Sequence, residues 1–415
     1  MLEASSQRIV WIKAVERMCY ENTVYLPSYV VHDMGIRELE HAAMAPRRWE
    51  LLTKSGLTSL EEPIPVSASR TINIPDHLSE PHRLFLIPGG RFLLVLQHKH
   101  LTLWDLAVEP IEPLHSVPTN CYTFTTHMSY DGRSALRILT ITEKYNAYFL
   151  EMLEIAPWST TPQFTLLDTL FVPSDYGLGF SSVCGDVVAV VHGPMIKLWN
   201  FVTGSWATWN TNCQSLQILM TEENITLIHQ THLAVWDIPN FLPDAQTEAI
   251  KDEPQVVTPP KKLMSYPPSY THPESGYSCY GLCDWYTGSP QPLWFDHISV
   301  HRDESSDDDP TLHVSRFDTQ ESGVHWTLSF GLPFHPLDIA IAPYRVSGQN
   351  VVIIWCTAAG IYCHTGAPNV DRMTTLCLLK GVRITRTSFC PISGRLVYIT
   401  SKADGIRVID FLPPV

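Results

Sequence analysis

Hydrophobic positions in this chain keep two different periods. Over residues 6–20 apolar side chains recur at helical spacing: Ile9, Ile12, Val15 and Cys19 lie near one face, and Trp11 and Met18 widen it. Leu26-Pro27 interrupts that run. The spacing predicts a second helix from Asp33, a good N-cap, to about Met44, ended by Pro46. A third is predicted from Arg47 to Lys54, closed by Gly56. Helices this short need a docking surface to persist in water. From about Pro63 the apolar runs shorten to strand length and alternate with turn residues.

Within that second region a couplet of an apolar and an acidic residue returns. It reads Leu103-Trp104-Asp105, Leu198-Trp199-Asn200 and Val235-Trp236-Asp237, then Arg316-Phe317-Asp318 and Val408-Ile409-Asp410. Leu150-Glu151 and Tyr362 stand where two further members belong. Anchors at 104, 150, 199, 236, 317, 362 and 409 are separated by 46, 49, 37, 81, 45 and 47 residues. A step of roughly 40–50 residues with a Trp-Asp ending marks propeller blades of about four strands.

The expected fold is therefore mainly β: a seven-bladed β-propeller over residues 63–415, preceded by a short N-terminal α-helical head over 1–62. Three segments repeat a turn ending in Gly-Arg followed by two apolar strands: Gly90-Arg91, Gly132-Arg133 and Gly394-Arg395. The chain ends just after the third strand of the last blade. Ala68 to Ile74 is expected to complete that sheet and close the ring, leaving no unpaired edge. The 81-residue step holds a stretch rich in Pro, Ser, Thr and charge, Pro243 to Gly276, which is expected to be a flexible insertion.

Composition narrows the function. The net charge is −14, and residues 1–60 are balanced, so the acid excess lies in the propeller region. Generic nucleic-acid binding needs a basic face, so a protein partner, cationic in character, is expected instead. No apolar run reaches the roughly 18 residues of a membrane span, and the start lacks the pattern of a secretory signal. The ten Cys are scattered without a paired framework, which fits reduced thiols in the cytoplasm or nucleus.

Candidate chemistry is thin. If Ser278 to Tyr286 is a strand, Cys279 and Cys283 sit about 13 Å apart, too far for one zinc ion. Cys356 and Cys363 flank a turn expected at Gly360 and read as packing residues, and His98 and His100 as a solvated hairpin tip. Trp104, Trp199 and Trp236 could suggest an aromatic cage, but their repeat positions make them blade core. No catalytic, cofactor-binding or metal-binding set is read, and no enzyme is expected. Four loop residues fit modification patterns: Lys251 in Ile250-Lys251-Asp252-Glu253, Thr258 before Pro259, and Ser305 and Ser306 in an acidic run.

The head reads Arg8-Ile9-Val10-Trp11-Ile12-Lys13-Ala14-Val15-Glu16-Arg17-Met18-Cys19, then Leu26-Pro27-Ser28-Tyr29, Glu38-Leu39-Glu40-His41-Ala42-Ala43 and Pro46-Arg47-Arg48-Trp49. It resembles the heads of mushroom-type (basidiomycete) fungal F-box-like proteins, in which a helical F-box and linker precede a propeller. The Leu-Pro-x-Glu opening of the F-box would precede Ser5, so the resemblance begins at the last F-box helix. It implies a substrate-recognition subunit of a ubiquitin ligase, whose head holds a Skp-type adaptor and cullin complex while the propeller holds the target. Trp11, Val15 and Met18 are the head residues expected to meet that partner.

Overall fold

The computed structural model describes residues 7–54, 62–74, 81–129, 135–145, 147–173, 178–211, 217–229, 232–241, 259–265, 278–280, 285, 294–301, 311–318, 323–331, 340–346, 350–357, 360–366, 374–402 and 405–413. They form three α-helices and a 3-10 turn at Leu26–Ser28, followed by strands.

Helix α1 spans Arg8–Glu21, α2 Ile36–Ala43 and α3 Ala45–Lys54. α2 starts three residues after the expected Asp33: Gly35 is its N-cap, with its N–H bonded to Glu38 Oε2 at 2.6 Å. Pro46 does not end α2 but lies in the first turn of α3, where the missing N–H costs nothing. Gly56, the expected C-terminal stop, lies outside the described residues.

The strands make seven four-stranded antiparallel sheets among the described residues. Strand β1 (Ala68–Ile72) comes first. Sheet 1 holds β2 to β5 (Arg83–Leu86, Phe92–Gln97, His100–Asp105, Pro113–Pro118). Sheet 2 holds β6 to β9 (Thr123–Met128, Leu136–Lys144, Ala147–Ile155, Thr165–Pro173). Sheet 3 holds β10 to β13 (Leu178–Cys184, Val187–His192, Met195–Asn200, Ser205–Asn210). Sheet 4 holds β14 to β17 (Gln217–Met220, Asn224–Ile228, His232–Asp237, Lys262–Ser265). Sheet 5 holds β18 to β21 (Ser278–Tyr280, Trp294–His301, Thr311–Asp318, Gly323–Gly331). Sheet 6 holds β22 to β25 (Ala340–Val346, Asn350–Thr357, Gly360–Gly366, Thr374–Lys380). Sheet 7 holds β26 to β28 (Ile384–Cys390, Arg395–Thr400, Ile406–Asp410), and its fourth member is β1.

β1 pairs antiparallel with β28, from Ala68 opposite Asp410 to Ile72 opposite Ile406. The first and last strands of the chain thus share one sheet, as the sequence predicts. First strands of successive sheets approach one another, β2 beside β26 and β10 beside β14. Strands such as β3 are buried along their whole length, which accounts for their unbroken apolar sequence.

All seven anchors fall on the third strand of their sheets. Five share one register: Trp104, Trp199, Trp236, Phe317 and Ile409 each oppose the second residue of the preceding strand. Leu150 and Tyr362 instead oppose Ile141 and Trp355, each the sixth residue of its strand. The acid paired across sheet 2 is therefore Glu154, which meets Arg137 at 3.1 Å, rather than Glu151. Trp104, Trp199 and Trp236 are buried core residues of their sheets.

Two expectations change. β17 lies inside the stretch 243–276 expected to be flexible, and pairs with β16 from His232 opposite Ser265 to Val235 opposite Lys262. Its four residues were hidden between Pro-rich flanks. The strand expected over Ser278 to Tyr286 ends at Tyr280. Trp285 lies beyond it and is buried against the head, and Cys283 lies outside the described residues. No helix among the described residues is long and apolar enough to cross a membrane.

Candidate functional site

The surface that the head builds is assembled at one end of the sheets, where first and second strands meet. Short amphipathic helices must dock to survive, and here the docking contacts are specific. Tyr25 N–H donates to Pro88 O at 3.0 Å, and Ser28 Oγ donates to the same carbonyl at 3.3 Å. Pro88 and Gly89 form the turn between β2 and β3. Gly89 has φ +111, and a Cβ there would collide with the Ser28 side chain, so the close approach requires glycine.

Aromatic rings lock the same junction. Trp49 of α3 packs against Phe389 at 5.2 Å and Phe411 at 6.4 Å, both from sheet 7 or just after it. Arg48 Nη2 donates to Pro413 O at 2.9 Å, holding the end of the chain. Tyr25 stands edge-on to Phe92 and to Trp285. Trp285 donates its indole N–H to Thr23 O at 2.7 Å and lies 6.1 Å from Phe85 on β2. Trp285 belongs to the connection between β18 and β19, so sheet 5 reaches the same place as sheets 1 and 7.

Within the head, the Arg8 guanidinium spans the carbonyls of Val31, His32 and Met34 at 2.6–3.2 Å. It ties the start of α1 to the loop before α2. Cys19 is buried beneath and Tyr29 half-buried, and desolvation raises the pKa of each.

This arrangement fixes the predicted head residues. Val15 is 0% and Met18 5% exposed, and Trp11 is half-buried against the same core. The face expected to meet a partner is filled by the chain itself, because the periodicity that marks an apolar face does not say what covers it. The outward face of α1 instead shows Ile9, Val10 and Tyr20, at 56%, 40% and 69% exposure. Lys251, Thr258, Ser305 and Ser306 lie outside the described residues.

Other candidate groups resolve into packing. Seven described cysteines are free thiols, and burial pushes Cys356 up to about 12. Cys356 and Cys363 face Ile361 and Ile354, not each other. His127 and His364 are buried and depressed to about 3 by desolvation. His364 Nδ1 pairs with Thr375 Oγ1 at 2.6 Å, and its ring stacks on Trp355 at 5.2 Å. No group of three or more His, Cys, Asp or Glu able to hold a metal occurs among the described residues. Sequence reading missed Tyr25, Trp285 and Gly89 as docking residues; the signal open to it was Pro46-Arg47-Arg48-Trp49. In comparisons with known proteins, neither a protein-family model nor a curated protein matches the chain.

Proposed function

We propose that this protein is a non-catalytic protein-interaction module: a closed seven-bladed propeller with one face covered by its helical head. The pairing of β1 with β28 carries this reading, since it joins the two ends of the strand region in one sheet. Closure makes a rigid ring without free edges at that seam. Trp285 packs against Tyr25 and Phe85 on the head side, and in this reading partners bind the other face.

Between the two versions of this role, the burial of Val15 and Met18 favours a stand-alone scaffold in the cytoplasm or nucleus. A ligase adaptor draws on the head's resemblance to F-box-like proteins. A Skp-type adaptor would then engage the outward residues Ile9, Val10 and Tyr20. Purification of the tagged chain from its own cells distinguishes them. The scaffold predicts other proteins without Skp-type adaptor or cullin. Their stoichiometric recovery, lost on Ile9→Asp, makes the chain a ligase subunit instead.

A further inference from the structure

Charge is divided unevenly between the two ends of the sheets. At the head-side end, cations are paired: Arg91 with Asp105 and Arg395 with Asp410, Arg137 with Glu154 and Asp186, and Lys261 with Asp237, all within 3.1 Å. At the opposite end, Arg83, Lys99, Arg383, Arg386 and Lys402 make no ion pair among the described residues. Four of the five are exposed and Arg83 is half-buried.

These five belong to one patch. Ser401 N–H donates to Arg383 O at 3.0 Å, which sets Arg383 beside the β27–β28 turn that carries Lys402. Arg386 reaches from β26 to sheet 1, its Nε donating to His82 O at 2.5 Å. His82 precedes Arg83, and its ring stands 6.4 Å from that of His98, the neighbour of Lys99. Arg83 in turn reaches Thr123 of sheet 2 and covers the Phe124 ring at 5.1 Å. Asp76, Glu80 and Asp404 lie outside the described residues.

With 42 acids against 28 Lys and Arg, an unpaired cationic cluster runs against the average of the chain. Cations grouped at one exposed surface attract the opposite charge and raise the rate of its capture. We propose that the mouth formed by sheets 7 and 1, on the face away from the head, binds an acidic extended peptide segment of a partner protein. This reverses, for this face, the cationic partner that net charge suggests. A peptide suits the site better than a nucleic acid because a long polyanion would also meet the acid excess of the surrounding propeller. The inference rests on the ring reading above.

The test uses the full chain and a fluorescent peptide of alternating Asp and Ser, with an Asn-Ser peptide as the neutral match. Binding is expected for the acidic peptide alone, weakening as salt shortens the screening length from about 10 Å at 0.1 M to about 3 Å at 1 M. The triple variant Lys99→Glu, Arg383→Glu, Lys402→Glu should lose at least about tenfold in affinity. Its circular dichroism and melting temperature check that it folds. Arg37→Glu on the exposed start of α2 should change nothing. Equal binding by the triple variant, or by the neutral peptide, overturns the proposal. So does a single-stranded RNA that binds the patch more tightly than the peptide. Small-angle scattering of the same sample separates the two levels: a flat disc without peptide binding removes the docking site alone, and any other shape removes the ring as well.

Discussion

Arg91 and Asp105 are held together by two nitrogens: Arg91 Nη2 lies 2.6 Å and Nε 2.9 Å from the Asp105 carboxylate. The same fork recurs between Arg395 and Asp410, at 2.5 Å and 2.9 Å. Each joins the Gly-Arg turn of a sheet to the acid that ends its third strand. The two sequence signals recur together in sheets 1 and 7 because they are two halves of one bidentate contact. Asp105 also accepts the Ala107 N–H at 2.9 Å, which shapes the turn after β4.

Removing one half strands the other. Both members of the first pair are largely buried, so Asp105→Asn should cost about 3 kcal/mol. Replacing both, Arg91→Met with Asp105→Leu, should cost less than the sum of the single changes. Urea unfolding of the three variants measures this. Additive losses would show the pair to be uncoupled.

Trp49 anchors the last helix of the head to the sheets. It is 1% exposed and wedged between Phe389 and Phe411. Trp49→Ala should cost about 3–5 kcal/mol and free the helices first. Limited proteolysis should then cut within residues 7–54 while the sheets resist. Cleavage no faster than in the parent chain would mean the helices hold without it.

Two histidines set an acid limit. His127 and His364 hold values of about 3 in the folded chain, against 6.5 when exposed. Because the folded value is the lower one, the unfolded chain takes up protons first as pH falls. Stability is full above about pH 6.5 and declines from there towards about pH 3, by at most ~1.4 kcal/mol per pH unit for each ring. Urea midpoints at about pH 7.5 and about pH 5.5 should separate in the parent chain and lie closer together in His127→Gln, with the remaining gap carried by His364. Parallel shifts in both would remove His127 as a cause.

The fold was legible where its signals are local. Trp104, Trp199 and Trp236 repeat because a large ring fills the same slot in sheets 1, 3 and 4, and Ala68 to Ile74 read as a strand with no partner nearby in sequence. Leu150 and Tyr362 named the right strand in the wrong register, since aliphatic strands buried on both faces offer no mark of position along their length. β17 was missed because four residues between prolines are too few to show a period. The head was harder. Its apolar face was plain, but a period does not say whether Val15 and Met18 meet this chain or another; here α1 packs against α2 and the Leu26–Ser28 turn. The proposed cationic site was invisible because Lys99 lies far in sequence from Arg383 and Lys402.

The pairing of β1 with β28 is most directly tested by a disulfide across the seam. Thr71 and Arg407 are register partners on β1 and β28, and Arg407 Nη1 already donates to Thr71 Oγ1 at 2.8 Å. The double variant Thr71→Cys, Arg407→Cys should oxidise to a 71–407 bond, identified by peptide mass spectrometry, in a chain that melts at or above the parent temperature. A folded double variant in which these two cysteines stay reduced, or pair with others, would contradict closure of the last sheet by the first strand.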